Sequence, residues 1–151
     1  MIQLILPWPP SVNHYWRFGK GRFYISNEGK RYKMIVTGTM LQGRVKPFSG
    51  NVAVTIDAHP PDRRTRDLDN LNKCILDSCV TRHGLAGVYE DDSQVKRLEA
   101  TMHDFNPECA GRVVITVSPW PGADAAGVPV YAPCSPPLQA HAVCPPSLAP
   151  V

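Results

Sequence analysis

The chain has 151 residues, 16 of them proline, with 19% charged residues and a formal net charge of +3. That length supports one domain able to bury its own core without disulfide staples, and no apolar run approaches the roughly 20 residues of a membrane-crossing helix. The first seven residues are too soon interrupted by Pro7 for a signal peptide, and five cysteines (Cys74, Cys79, Cys109, Cys134, Cys144) with no CxxC pair point to a reducing cytoplasm.

Taken in chain order, residues 3–6 read as a short strand ended by Pro7-Trp8-Pro9-Pro10. Residues 17–26 read as a hairpin turning at Gly19-Lys20-Gly21. Ser26 is placed to cap a helix running to about Gly43, with Tyr32, Ile35, Met40 and Leu41 as its buried side. Residues 51–58 alternate on Val52, Val54 and Ile56, as a half-buried strand does. Pro60-Pro61-Asp62 opens a loop into a second helix, predicted over residues 68–82. Two further strands follow, 95–102 alternating on Val95, Leu98 and Ala100, and 112–118 alternating on Val113, Ile115 and Val117. This order predicts a small single domain of the α/β (α+β) class, with a mixed sheet and two main helices, over residues 1–120. Residues 121–151 hold half the prolines and seven alanines, with Asp124 as their single charge. Such a Pro/Ala-rich stretch cannot offset its ordering entropy by burial, and it reads as a disordered tail.

Charge is unevenly divided. Residues 1–50 carry eight basic side chains against Glu28 alone, together with eight of the twelve aromatics. Residues 51–104 carry ten acids and seven bases. Basic side chains neutralise phosphates and planar ones stack on bases, so the first block is as compatible with nucleic-acid binding as with a solvated basic face. Concentrated acids beside it have a use near phosphate when a metal lies between them.

The acids have a pattern. On the second predicted helix, Leu68, Leu71, Ile75 and Cys79 form the apolar stripe, and Asp69, Lys73 and Asp77 fall at i, i+4, i+8 on another face. Asp67 falls at the N-cap position, so Asp67 and Asp69 emerge together at a helix start. Some twenty residues on, Asp91-Asp92-Ser93-Gln94-Val95 brings acids to the mouth of a strand. Singly, these are an N-cap, an i, i+4 ion pair of Asp69 with Lys73, and a solvated turn. Together, with Arg63, Arg64 and Arg66 in the same loop, they suit a hard cation such as Mg²⁺ and a phosphate clamped by guanidinium groups. Both readings stand on the residues alone.

Three stretches carry a family resemblance. Leu6-Pro7-Trp8-Pro9-Pro10-Ser11-Val12-Asn13, the run from Pro61 through Arg63, Arg64, Arg66, Asp67, Asp69 and Asn70 to Lys73, and Asp91-Asp92-Ser93-Gln94-Val95 resemble the motifs of the RusA-type endodeoxyribonucleases, Holliday junction resolvases of bacteria and prophages. The likeness spans residues 1 to about 118 and leaves the tail outside. It implies that Asp67, Asp69 and Asp92 are catalytic and metal-binding, that Lys73 is catalytic, and that the cofactor is Mg²⁺ with Mn²⁺ as a substitute. It implies an intertwined homodimer whose two sites cut one four-way junction symmetrically, in recombination and repair, in the cytoplasm of a bacterium or as a phage product. Arg63, Arg64 and Arg66, with Arg17, Lys20 and Arg22 of the hairpin, are the expected DNA contacts. Thr65 stands where the family often has a basic residue, and Ser78-Cys79 where small and aliphatic residues are usual. Two other functions compete: an inactive branched-DNA-binding prophage protein, and a nuclease acting more broadly on flaps.

Weaker signals are set aside. Cys74, Cys79 and His83 do not converge on tetrahedral zinc, and His103 with Cys109 is no better placed. His59 is expected to pack beside Pro60, and Trp8 to anchor the proline-locked motif. No glycine-rich phosphate loop is present, so no nucleotide cofactor is expected. Asp91, Cys134 and Cys144 receive no role.

Overall fold

The structure, a computed structural model, describes residues 1–19, 21–81, 86–109 and 111–122. Its elements run β1 (Ile2–Pro7), α1 (Val12–Tyr15), β2 (Trp16–Gly19), β3 (Arg22–Ile25), α2 (Asn27–Gln42), β4 (Val52–His59), α3 (Asp69–Cys79), a 3-10 turn (Asp92–Gln94), β5 (Val95–Met102) and β6 (Arg112–Pro119). The chain separates into two units, Met1–Trp120 and Pro121–Val151. The expected disorder beyond residue 122, together with Lys20, His83, Cys134 and Cys144, lies outside the described residues.

Four strands form a mixed sheet in the order β1-β6-β4-β5, with β6 antiparallel to both neighbours and β4 parallel to β5. This is the predicted fold class. Register aligns the alternating apolar residues into rows: Leu4 faces Ile115, which faces Ile56, and Leu6 faces Val113, which faces Ala58. Tyr32, Val36 and Met40 of α2 and Leu71, Cys74, Ile75 and Cys79 of α3 join these rows in one buried cluster. Each fully buried aliphatic side chain there contributes about 1.5–3 kcal/mol.

Ser26 caps α2 as predicted, its Oγ accepting from the Gly29 amide at 3.0 Å. The buried stripe differs from the expected one. It runs Gly29, Tyr32, Val36, Met40, at spacings of three and four, and leaves Ile35 and Leu41 exposed. Gly29 sets this rotation, because a Cβ there would stand 2.7 Å from the Tyr15 ring, so α1 can close on α2 only over a glycine. The four-residue α1 was not predicted, being too short to show a period.

α3 is shorter than the predicted 68–82. It ends at Cys79, and Val80 turns extended (ψ 133°) to bridge Tyr89. β-branched Val80 and Thr81 favour that exit. In β5 the expected inward Leu98 is exposed and none of the strand's residues is fully buried. Among the described residues β5 pairs with β4 alone, and its Lys96, Arg97 and Glu99 give the edge the charges that discourage further pairing. Among the described residues, no helix is long and apolar enough to cross a membrane.

Candidate active site

The loop between β4 and α3 is tied down at several points. A Cβ at Gly111 would lie 2.4 Å from Pro61 Cβ, so the entry to β6 nests against the loop through a glycine. The Asp62 carboxylate accepts both arms of the Arg66 guanidinium at 2.8 Å each, and the Arg64 amide at 2.8 Å. Those bonds, Arg66 foremost, draw the Asp62 pKa down to about 2. The Arg66 guanidinium also lies over the Trp8 ring, 5.4 Å from its centroid. Thus the Pro-Trp-Pro-Pro turn and the arginine-rich loop, distant in sequence, are one unit, with Trp8 as the expected anchor. The fork of Arg66, expected on phosphate, is engaged by Asp62 and half-buried, whereas Arg63 and Arg64 are exposed.

The start of α3 differs from the expected cap. Leu68 is the cap residue, already helical and without a side-chain cap bond. Asp67 stands one residue earlier, where its Oδ2 accepts from Asn70 Nδ2 at 3.1 Å. Asp69 is the first helical residue and exposed, in the first turn where the helix dipole favours a carboxylate.

Lys73 joins the two acidic motifs. Its Nζ lies 2.8 Å from Asp77 Oδ1 and 2.8 Å from Asp92 Oδ2, nineteen residues on. The bond to Asp77, then that to Asp92, lifts the Lys73 pKa to about 12. The expected pair with Asp69 does not form; Lys73 turns along the helix toward Asp77, which is only 6% exposed. Asp77 was placed on this face by its spacing but given no role.

Asp91 and Asp92 divide the work of one turn. Asp91 caps the 3-10 turn, its Oδ1 accepting from the Ser93 amide at 2.9 Å, which leaves Asp92 to meet Lys73. Gln94 completes the turn: Oε1 accepts from the Glu90 and Asp91 amides, and Nε2 donates to the Phe48 and Gly50 carbonyls at 3.0 and 2.7 Å. Buried Tyr89 donates its hydroxyl to the Leu76 carbonyl at 3.0 Å and holds this segment against α3. Gln94 and Tyr89 are supports the sequence contained but did not advertise, since both act on distant backbone.

Among the described residues, no three His, Cys, Asp or Glu side chains form a group that could hold a metal ion. Asp67, Asp69 and Asp92 are therefore not gathered into one cage: Asp67 is held by Asn70 and Asp92 by Lys73. The donor chemistry still suits a hard cation, since all three are carboxylates and Mg²⁺ uses only one or two alongside water and phosphate. Cys74 and Cys79 do not compete as ligands. Burial pushes both thiols up, Cys79 to about 12, and they serve as small apolar side chains.

Two cavities flank the loop. One of about 400 Å³ is lined by Trp8, His14, Glu28, Arg64, Asp67 and Asn70, among others. The other, about 360 Å³, lies beside Arg63, Arg64, His103 and Phe105. The His59 ring stacks on His103 (centroids 4.4 Å apart, planes 7° apart), and His103 is bonded to Asp57 at 3.0 Å. Burial and the neighbouring His103 lower the His59 pKa. Arg17 and Arg22 are exposed on β2 and β3.

The family model described as Endodeoxyribonuclease RusA matches residues 7–118. The chain is 44% identical over 97 residues to the crossover junction endodeoxyribonuclease of Enterobacteria phage 82, an alignment covering 61% of this chain and 74% of that protein. The proteins of the same description from Shigella sonnei strain Ss046 and Escherichia coli strain K12 are 43% and 42% identical over equal coverage. Since the matched span runs from the turn that carries Trp8, through the Arg66 and Lys73 pairs, to the last strand of the sheet, the chain belongs to the RusA family of endodeoxyribonucleases.

Proposed function

We propose that this protein is a divalent-metal-dependent, structure-selective endodeoxyribonuclease that resolves four-way DNA junctions by paired, symmetric phosphodiester hydrolysis, in recombination and repair. The observation that carries the reading is the Lys73–Asp92 ion pair, which sets a permanent cation beside an acid from the second motif and one turn from Asp69. Asp67, Asp69 and Asp92 are the residues that would hold Mg²⁺, with Mn²⁺ as a substitute. When bound, the cation supplies polarisation of the scissile phosphate and a water of lowered pKa.

The chain's own residues do the rest. Lys73, fully charged at neutral pH, would face the negative charge that grows on the phosphoryl oxygens during attack. Asp77 keeps that ammonium on the acidic face of α3. Arg63 and Arg64 neutralise the DNA backbone, and Arg66 with Asp62 holds the loop that presents them. The working unit is residues 1–120, with 121–151 an appendage. Met34, Ile35 and Leu41 leave apolar surface exposed along α2, area that a second copy would cover. A homodimer gives the two-fold pair of sites that symmetric cutting needs. The partner is four-way junction DNA, no nucleotide cofactor is required, and the place of action is the bacterial cytoplasm.

Asp69→Asn tests the assignment. Cleavage of a four-way junction in Mg²⁺ is expected to fall below detection while junction affinity holds or rises, because a negative charge near phosphate is removed. Full cleavage by the variant would overturn it.

A further inference from the structure

Among the described residues, the ribbon formed by β2 and β3 pairs with no other strand. Its direct cross-strand pairs, Trp16 with Ile25 and Phe18 with Phe23, share one face; Arg17 with Tyr24 and Gly19 with Arg22 share the other. Trp16 and Ile25, at the base, pack against the core. Toward the tip the same face turns outward, with Phe18 65% and Phe23 72% exposed and their rings 5.0 Å apart at 57°. Burying two phenylalanines would be favourable by several kcal/mol, so leaving both in water on a two-stranded ribbon calls for a partner.

Position and charge indicate which. A cavity of about 500 Å³ beside the ribbon is lined by Arg17, Tyr24, Ser26, Asn27 and Glu28. Glu28 also lines the cavity that holds Asp67, Asn70, His14 and Arg64. Glu28 thus borders both cavities. Glu28 itself repels phosphate, so backbone contacts fall to Arg64 in one cavity and Arg17 in the other. The charged side chains of β2 and β3 are both arginines, Arg17 and Arg22. Exposed rings backed by cations alone have the composition of a surface that stacks bases and neutralises their phosphates.

We propose that the Phe18–Phe23 pair is a base-stacking finger, which takes an unstacked base at the branch point of a DNA junction while Arg17 and Arg22 hold the adjoining phosphates. The inference rests on the junction-nuclease reading and adds to it a source of structure selectivity. A linear duplex offers no unstacked base, so the finger favours branched DNA alone.

The test uses the full-length protein, a four-way junction carrying 2-aminopurine at the branch point, and a linear duplex of equal length. The wild type should change the 2-aminopurine fluorescence on binding. Phe18→Ala with Phe23→Ala should abolish that change and weaken junction binding on the order of 10-fold, with duplex affinity and solution mass unaltered. Phe18→Trp should retain the wild-type behaviour. Unchanged junction affinity in the double variant, an unresponsive fluorophore with the wild type, or a halved solution mass in the variant would each overturn the finger. The last would show that the rings bind protein. If the wild type binds junction and duplex equally, the junction-nuclease reading fails first, an outcome separable from a defect seen only in the variant.

Discussion

Lys73 is held between one buried and one exposed carboxylate. In the proposed mechanism Asp92 would help to hold the metal ion, and Asp77, at 6% exposure, would position the ammonium. Asp77→Asn is expected to lower turnover, by up to about 100-fold if the ammonium shifts by an ångström, while leaving junction affinity near wild type. Combined with Lys73→Ala it should cost no more than Lys73→Ala alone; additive losses would show that Asp77 acts by another route. The Asp62–Arg66 pair yields a pH prediction. Asp62 has its pKa drawn from 3.8 to about 2, so the folded state resists protonation more than the unfolded chain does. The stabilisation is complete above about pH 4 and is lost as pH falls toward 2. Thermal midpoints of wild type and Asp62→Asn should differ by a constant amount from pH 7 to 4 and converge near pH 2. A gap that persists at pH 2 would contradict the assignment.

At the scale of the element, α2 depends on its start. The Ser26 hydroxyl satisfies an amide that otherwise has no partner, and Ser26→Ala should cost about 1 kcal/mol in urea unfolding, largely restored by Asp or Asn. A loss under a few tenths would mean that packing of α1 on Gly29 alone fixes the helix. Such local signals were legible in the sequence: the Ser26 cap, the alternation of β4 and β6, and the stripe of α3 each follow from a short window. The rotation of α2 was not, because Tyr15 of α1 decides it from outside the window. Nor was the end of α3, which Tyr89 draws into an extended bridge. Within the site, residue types and order were readable from the motifs. The partners were not, since Arg66 on Trp8, Lys73 on Asp92 and His59 on His103 are contacts between segments brought together only by the sheet.

Across the molecule, the modest net charge of +3 conceals a division of labour. The basic, aromatic first third supplies the ribbon and α2, and the acidic middle supplies the α3 face and the 3-10 turn. The two meet at the cavity that Arg64 and Asp67 share with Trp8, His14 and Glu28. A metal-assisted nuclease needs both halves: cations to hold a polyanion and carboxylates to hold the metal ion. The family model covers both halves and stops at residue 118, short of the Pro/Ala-rich end. The most direct test incubates the purified full-length protein with a four-way junction, a flap and a linear duplex, each in Mg²⁺ and in EDTA. The account predicts paired symmetric nicks in the junction with Mg²⁺, none with EDTA, and an intact duplex. Binding without cleavage, or equal cutting of all three substrates, would contradict it.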